Sequence, residues 1–400
     1  MVSELKRALF AGTGDQNQLF KCTNLFRRDL KSLDTSELLD ATYYLTRITR
    51  GRGGIVDPEL GYAIIGRLMA AIPLLSRQEC IRLVQVCSLL VSRNKVDQPH
   101  VKSLLQKRDK VVVECLRRIS GKLEDLPVSM LSVLISAVAR QHCASIDPFI
   151  ADFSDCVSVR IEACLADSHE PPKNASTRLD LERLVPFVFL AFEQMDIVPS
   201  SRLSEASLNL YSRFASEIPF SHMSQLVLAF PKEAFESDPR WDSITSYCRE
   251  AVEKSPADFT LIDLCRLVNG LRSDKIANIL YATAPNRPSK EWSIHALKES
   301  SLVFQKFKMQ NKFGHRFLRE MKMKASEIPS SYLIAILRNT HSCSVKISIG
   351  ASTLLSKRIS KLTDSELCTV LTLDVSEMDH NSIGNLVSEA KAEAQRRHVV

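Results

Sequence analysis

One helix-start pattern recurs along this chain. In each copy an apolar residue is followed by Asp, Ser, Thr or Pro, and apolar residues mostly return five, eight and nine positions after the first. Asp, Ser and Thr cap the free N–H groups at the start of a helix, and Pro fits its first turn. The apolar positions lie on one stripe of a 3.6-residue helix. The copies begin at Leu33, Leu75, Leu126, Leu179, Ile218, Phe259, Ile328 and Leu362, and a degraded copy begins at Trp292.

Successive copies lie 33 to 53 residues apart, which accommodates two helices and two short connections. Glu37, Glu79 and Glu366 stand three residues after a cap residue, as in a capping box. A single helix pair cannot bury both of its faces, so neighbouring pairs must stack. We therefore predict an all-α fold, an α-solenoid of about eight or nine stacked helix-pair repeats. An irregular helical domain is the alternative.

The array is expected to be continuous, with a helix or extension in residues 1–30 and sets of repeats in 31–170 and 171–400. A retained targeting segment is the alternative for residues 1–30, which are basic and partly apolar. The eleven cysteines are scattered and odd in number, which favours a reducing compartment. No uncharged apolar run reaches the roughly 18 residues of a membrane span, so we expect none.

The formal net charge of +7 is unevenly distributed. Residues 301–361 carry twelve Lys or Arg against two Glu, and residues 92–122 carry nine basic residues against three acidic ones. Residues 180–260 have seven basic and thirteen acidic residues. Clustered cations attract phosphate, so we predict RNA contacts in both basic segments. The predicted contact residues are Lys306, Lys308, Lys312, Arg316, Arg319, Lys322 and Lys324, together with Lys102, Lys107, Arg108, Lys110, Arg117 and Arg118.

The first of these groups has helical spacing. If one helix carries them, Lys308, Lys312, Arg316 and Arg319 form a single polar ridge. Four phenylalanines interleave with the ridge, and such spacing is more typical of core packing than of base stacking. These are Phe304, Phe307, Phe313 and Phe317. An acidic protein partner and a merely solvated face are the alternatives to nucleic acid for the ridge.

The sequence contains no motif of catalysis. A phosphate-binding loop, a dinucleotide fingerprint, an H-E-x-x-H helix and paired C-x-x-C motifs are all missing. We expect a protein that is not an enzyme, with no catalytic residue, metal site, cofactor or small-molecule substrate.

The cadence of residues 33–39, 125–140 and 362–367 resembles the heptatricopeptide and octotricopeptide-like repeats of mitochondrial and chloroplast RNA-processing and ribosome-associated proteins. Many of those proteins end in a RAP domain, whereas this chain ends in a polar segment at residues 385–397. The resemblance lies in apolar spacing, so it supplies no base-reading residues.

The resemblance implies a non-catalytic RNA-binding subunit of a mitochondrial ribonucleoprotein, either the mitochondrial ribosome or an RNA processing or editing complex. Its partners would be rRNA, guide RNA or mRNA, together with other protein subunits. The alternative is a HEAT- or armadillo-like protein–protein scaffold of a multiprotein complex, and a cytoplasmic or nuclear location is the alternative to mitochondria.

Overall fold

The computed structural model describes residues 2–10, 16–49, 58–90, 99–141, 146–166, 175–307, 311–340, 344–362, 364–373 and 381–397. In these segments the backbone forms 20 α-helices and no strand, so the prediction of an all-α fold is confirmed. None of these helices is both long and apolar enough to cross a bilayer.

The chain divides into two compact units, unit 1 (Met1–Leu210) and unit 2 (Tyr211–Val400). The predicted division at residue 170 lies outside the described residues. The first ten helices are α1 (Val2–Phe10), α2 (Gln16–Asp29), α3 (Thr35–Thr49), α4 (Pro58–Ala71), α5 (Arg77–Leu90), α6 (Pro99–Ser120), α7 (Val128–Ala139), α8 (Asp147–Ala166), α9 (Ala175–Met195) and α10 (Ser201–Arg213), and the boundary between the units falls in α10. The others are α11 (Phe220–Ala229), α12 (Pro239–Lys254), α13 (Leu261–Leu271), α14 (Asp274–Thr283), α15 (Ile294–Lys306), α16 (Asn311–Met323), α17 (Ser330–Thr340), α18 (Val345–Ser356), α19 (Asp364–Leu371) and α20 (Asn381–Arg396).

Each unit has two layers of helices. In unit 1 the odd-numbered helices α1 to α9 pack against one another in chain order, and α6 packs against α4 and α8. In unit 2 the odd-numbered helices α11 to α19 pack in order, and the even-numbered helices α12 to α20 do the same. Successive helices therefore alternate between an odd layer and an even layer.

The helix-start pattern locates eight of its nine predicted helices. Each of the eight begins two residues after the first apolar residue of the pattern, as α5 does after Leu75 and α15 after Trp292. Trp292 is fully buried, so the degraded copy is a helix start like the others. The prediction at Leu179 is wrong, because α9 already begins at Ala175 and Leu179 lies within it, 40% exposed.

Side-chain caps explain several of these helix starts, whereas Pro127 and Pro219 precede α7 and α11 without a side-chain cap. Asp34 accepts from the backbone N–H of Glu37 at 2.8 Å, and the Glu37 carboxylate accepts from the N–H of Asp34 at 3.2 Å. Ser76 and Glu79 make the same reciprocal pair, so two predicted capping boxes are confirmed. The third box, at Glu366, involves a residue outside the described part of the chain.

A set of arginines ties the two helices of a pair together, and we call this arrangement the carbonyl clamp. Each arginine lies in or just after the second helix of a pair, and its guanidinium donates to backbone carbonyls of the turn before the first helix. One acceptor is always the first apolar residue of the repeat pattern, as when Arg118 donates to Leu75 at 3.2 Å and also to Ile72 at 2.7 Å. The clamp arginines are Arg67, Arg118, Arg160, Arg287, Arg358 and Arg397.

Candidate nucleic-acid interface

Three of the four residues of the predicted basic ridge, Lys312, Arg316 and Arg319, lie on one helix, α16. Helix α15 ends at Lys306, where Phe307 takes an extended conformation, and α16 begins at Asn311. Lys308 lies outside the described residues, and Lys306 belongs to a different helix from Lys312. The ridge therefore stays a prediction at Lys308, and Lys306, a predicted RNA contact outside the ridge, lies on the preceding helix.

The phenylalanines of this segment form core. Phe304, Phe313 and Phe317 are at most 1% exposed. Phe313 and Phe317 pack against Trp292, and Phe304 packs against both, with the ring centroids of Phe304 and Phe317 5.1 Å apart. Phe307 is half-buried at the end of α15. The core interpretation is confirmed for the three buried rings, which leave no face free for a nucleotide base.

Two of the predicted RNA-contacting residues, Arg316 and Lys324, form ion pairs with a buried carboxylate, Glu320. Its side chain is 1% exposed and lies 2.8 Å from the Arg316 guanidinium and 3.2 Å from Lys324 Nζ. Burial disfavours the charged form, but hydrogen bonds from Ser289 and Lys324 and the two neighbouring cations outweigh it, so the pKa of Glu320 lies below its ordinary value. Arg316 and Lys324 consequently have a structural contact that competes with any phosphate.

Lys324 also extends the carbonyl clamp. Its Nζ lies 3.4 Å from the carbonyl oxygen of Ser289, three residues before Trp292. In most of the other helix pairs a clamp arginine contacts the carbonyl oxygen at this position. Lys306 donates to the carbonyl of Asn269 at 3.2 Å. These contacts hold one helix to another inside unit 2 and explain part of the high local density of basic residues.

The remaining cations of α16 lie on one exposed stripe. Lys312, His315, Arg319 and Lys322 follow at steps of three, four and three residues and all face solvent. No carboxylate of the described residues forms an ion pair with Lys312, Arg319 or Lys322. This stripe is the part of the predicted ridge that is available to a ligand.

Helix α18 packs against α16 in the same layer. Lys346 lies on α18 and Lys357 directly follows it, and both are exposed. We call Lys312, Arg319, Lys322, Lys346 and Lys357 together the basic face. These two lysines were missing from the predicted set, although the charge count of residues 301–361 had included them. Neighbouring helices of one layer thus carry exposed cations that are far apart in sequence, and exposed cations are the groups that bind phosphate.

Most residues of the second predicted patch, on α6, make contacts within the chain. Arg108 is 4% exposed and pairs with Asp109 at 2.6 Å, Arg117 pairs with Glu114, and Arg118 is a clamp residue. Lys107 Nζ lies 4.7 Å from the centre of the Tyr62 ring, a cation–π contact. The side chain of Lys102 lies outside the described part of the structure.

Lys110 is exposed and has no ion-pair partner in the described part of the chain. Helix α6 therefore offers fewer free charges than its composition indicated, and the basic face of unit 2 is the stronger candidate for an interface.

No protein-family model and no curated protein matches this sequence.

Proposed function

We propose that this chain is an α-solenoid of stacked helix pairs that binds RNA through the basic face, without catalysis, as a subunit of a mitochondrial ribonucleoprotein. The alternating layers within each unit support the solenoid, because each helix pair adds one helix to each layer. The resemblance to organellar repeat proteins supports the mitochondrial setting.

The observation that carries RNA binding is the stripe of Lys312, Arg319 and Lys322, exposed and unpaired among the described residues. Solvated lysines and arginines bind phosphates by releasing counterions, without the need for base contacts. Because no aromatic ring is exposed on this stripe, recognition rests on the backbone and shape of the RNA rather than on its base sequence.

RNA binding is tested with the full-length protein and two labelled probes, a single-stranded RNA and an RNA stem-loop, by fluorescence anisotropy at several salt concentrations. Reversing Lys312, Arg319 and Lys322 to Glu is expected to weaken binding at least about tenfold, because three phosphate contacts become repulsive. The matched control reverses Lys21, Lys31 and Lys254, which are exposed and lie elsewhere, and changes the net charge by the same amount.

The control is expected to keep most of its affinity. Equal loss in the two triple variants would mean that only net charge matters, and an unchanged affinity in the first variant would remove the basic face from the proposal.

Membership of a ribonucleoprotein is tested separately, with a tagged protein expressed in its own cells. We expect the protein in the mitochondrial fraction, in a large particle that shifts to lighter sucrose-gradient fractions after nuclease treatment. A particle that keeps its size and its protein partners after nuclease treatment would favour the protein scaffold instead.

A further inference from the structure

An open groove of about 250 Å³ lies on unit 1. It is lined by residues in or next to four helices of the odd layer, α3, α5, α7 and α9. Side chains line it throughout, because the backbone groups of helix interiors bond to each other. Such a volume accepts a few side chains rather than the surface of a folded domain. The lining residues that matter below are Tyr43, Arg47, Leu89, Val133, Arg140 and Phe187.

The groove is lined in part by exposed apolar side chains, which alternate with the polar side chains of Gln85, Ser88, Ser132 and Ser136. Val133 on α7 is 38% exposed and Phe187 on α9 is 45% exposed, and Leu89 on α5 lies beside them. The repeat pattern requires no apolar residue at Val133 or Leu89, which lie seven positions after Leu126 and fourteen after Leu75. Large apolar side chains that share one exposed surface mark an interaction site.

The rim of the groove is basic. Arg47 lies in the last turn of α3 and Arg140 immediately follows α7, and no Asp or Glu is among the lining residues. Carboxylates are the complementary groups, since a guanidinium forms charge-assisted hydrogen bonds with them.

The chemistry of the groove favours a peptide over a nucleic acid. The only tyrosine in the lining, Tyr43, is already in contact with the guanidinium groups of Arg47 and Arg82, 5.6 and 5.1 Å from its ring centre. Arg82 also forms an ion pair with Asp40 at 2.5 Å. The Tyr43 ring is therefore already engaged, whereas the exposed apolar side chains of the lining are available for apolar contact.

We propose that this groove docks a peptide segment of another protein in which Leu-, Ile- or Phe-type side chains are flanked by Asp or Glu. The apolar side chains pack on Val133 and Phe187, and the carboxylates pair with Arg47 and Arg140. Because the groove consists of helix faces without a sheet edge, side chains and not backbone hydrogen bonds supply the recognition. This site shares no residue with the basic face and does not depend on RNA binding.

The first test uses displayed random peptides of about twelve residues, selected on the full-length protein and counter-selected on the variant Arg47→Glu/Val133→Asp/Arg140→Glu. We expect enrichment of sequences that combine acidic and large apolar residues. Failure to enrich any sequence over the variant, or enrichment of basic sequences, would overturn the proposal.

The second test measures a synthetic copy of the most enriched peptide by fluorescence anisotropy. Phe187→Ala and Arg47→Glu/Arg140→Glu are each expected to weaken it at least about tenfold. The reversal of Lys312, Arg319 and Lys322, which tests RNA binding, is expected to leave peptide affinity unchanged. Circular dichroism and the melting temperature verify that the groove variants remain folded.

A single-stranded RNA probe completes the test. If the groove variants lose RNA affinity about tenfold and keep the peptide, the groove is an RNA site and the proposal is wrong. If they lose the peptide and keep RNA, it is supported whether or not the basic face binds RNA.

Discussion

Arg358 donates a hydrogen bond of 2.6 Å to the carbonyl oxygen of Ile328, a residue 30 positions earlier in the chain. It donates a second one to Ala325, so one guanidinium spans the turn that precedes α17. The planar fork of arginine suits two acceptors at once, and hydrogen bonds from a charged donor contribute more than neutral ones.

Replacing Arg358 by Ala is expected to lower the free energy of unfolding by about 2–3 kcal/mol, since two carbonyls lose a charged donor. Arg358→Lys keeps the charge but not the fork and is expected to fall between Ala and wild type. The matched control is Lys357→Ala, an exposed neighbour, with an expected change within about 0.5 kcal/mol. Urea midpoints measure all three, and equal midpoints for Arg358→Ala and Lys357→Ala would contradict the clamp.

Two glycines are expected to respond to alanine in opposite directions. A Cβ atom at Gly270, in α13, would lie 2.5 Å from the carbonyl oxygen of Val227 in α11, so the two helices must move apart. Overpacking of this kind costs about 1–3 kcal/mol. At Gly66, in α4, a Cβ meets nothing within 4 Å, and the better helix propensity of alanine is expected to stabilise by up to about 1 kcal/mol.

Melting temperatures of Gly270→Ala and Gly66→Ala measure the two effects. A stabilised Gly270→Ala protein would mean that α11 and α13 do not approach each other as closely as described.

Local signals predicted the fold well. Caps, capping boxes and apolar spacing are properties of a single helix start, so the sequence indicates where α3 or α5 begins without knowledge of its neighbours. The prediction failed at Leu179 because α9 begins earlier and continues through the pattern. Asp180 is compatible with a helix interior when tertiary packing supports it.

The candidate site was less predictable, because it depends on contacts that are distant in sequence. The sequence has no Pro or Gly between Lys306, where α15 ends, and Asn311, where α16 begins, so it gives no signal that one helix ends and another begins. Arg118 clamps carbonyls 43 and 46 residues earlier, which no local pattern indicates. Arg316, Glu320 and Lys324 follow one another at steps of four in the sequence, which is the spacing of helical ion pairs. In the structure they form an ion-pair cluster at the C-terminal end of α16.

Glu320 makes the stability of unit 2 depend on pH. Its pKa is lowered in the folded protein, so its contribution is fully present above the ordinary carboxyl pKa of about 4.3 and is lost as pH falls through the folded value. Glu320→Gln leaves Arg316 and Lys324 without their buried partner and is expected to cost about 3 kcal/mol at pH 7.

The difference in unfolding free energy between wild type and Glu320→Gln is therefore expected to shrink on acidification below about pH 4.3. Urea titrations at pH 7, 5 and 3.5 measure it. A difference that stays constant over this range would show that folding does not lower the pKa of Glu320.

Two buried cysteines are expected to resist alkylation. Burial raises the pKa of both Cys248 and Cys265 to about 12, so their thiols are protonated at pH 8 and unreactive. Cys164 and Cys368 are only half-buried and are expected to react with iodoacetamide faster than Cys248 and Cys265. Mass spectrometry of the native and the urea-unfolded protein provides the comparison, and rapid native labelling of Cys265 would contradict its burial.

The salt dependence of RNA binding reports how many phosphates the basic face contacts. Each phosphate contact on a single strand adds about 0.7 to the slope of log affinity against log salt. Lys312→Ala/Lys322→Ala removes two contacts, so the magnitude of the slope is expected to fall by about 1.4, whereas Lys21→Ala/Lys31→Ala leaves it unchanged. Anisotropy titrations between 50 and 300 mM KCl measure both slopes. Identical slopes for the two double variants would mean that these lysines do not touch the phosphates, whatever the overall affinity.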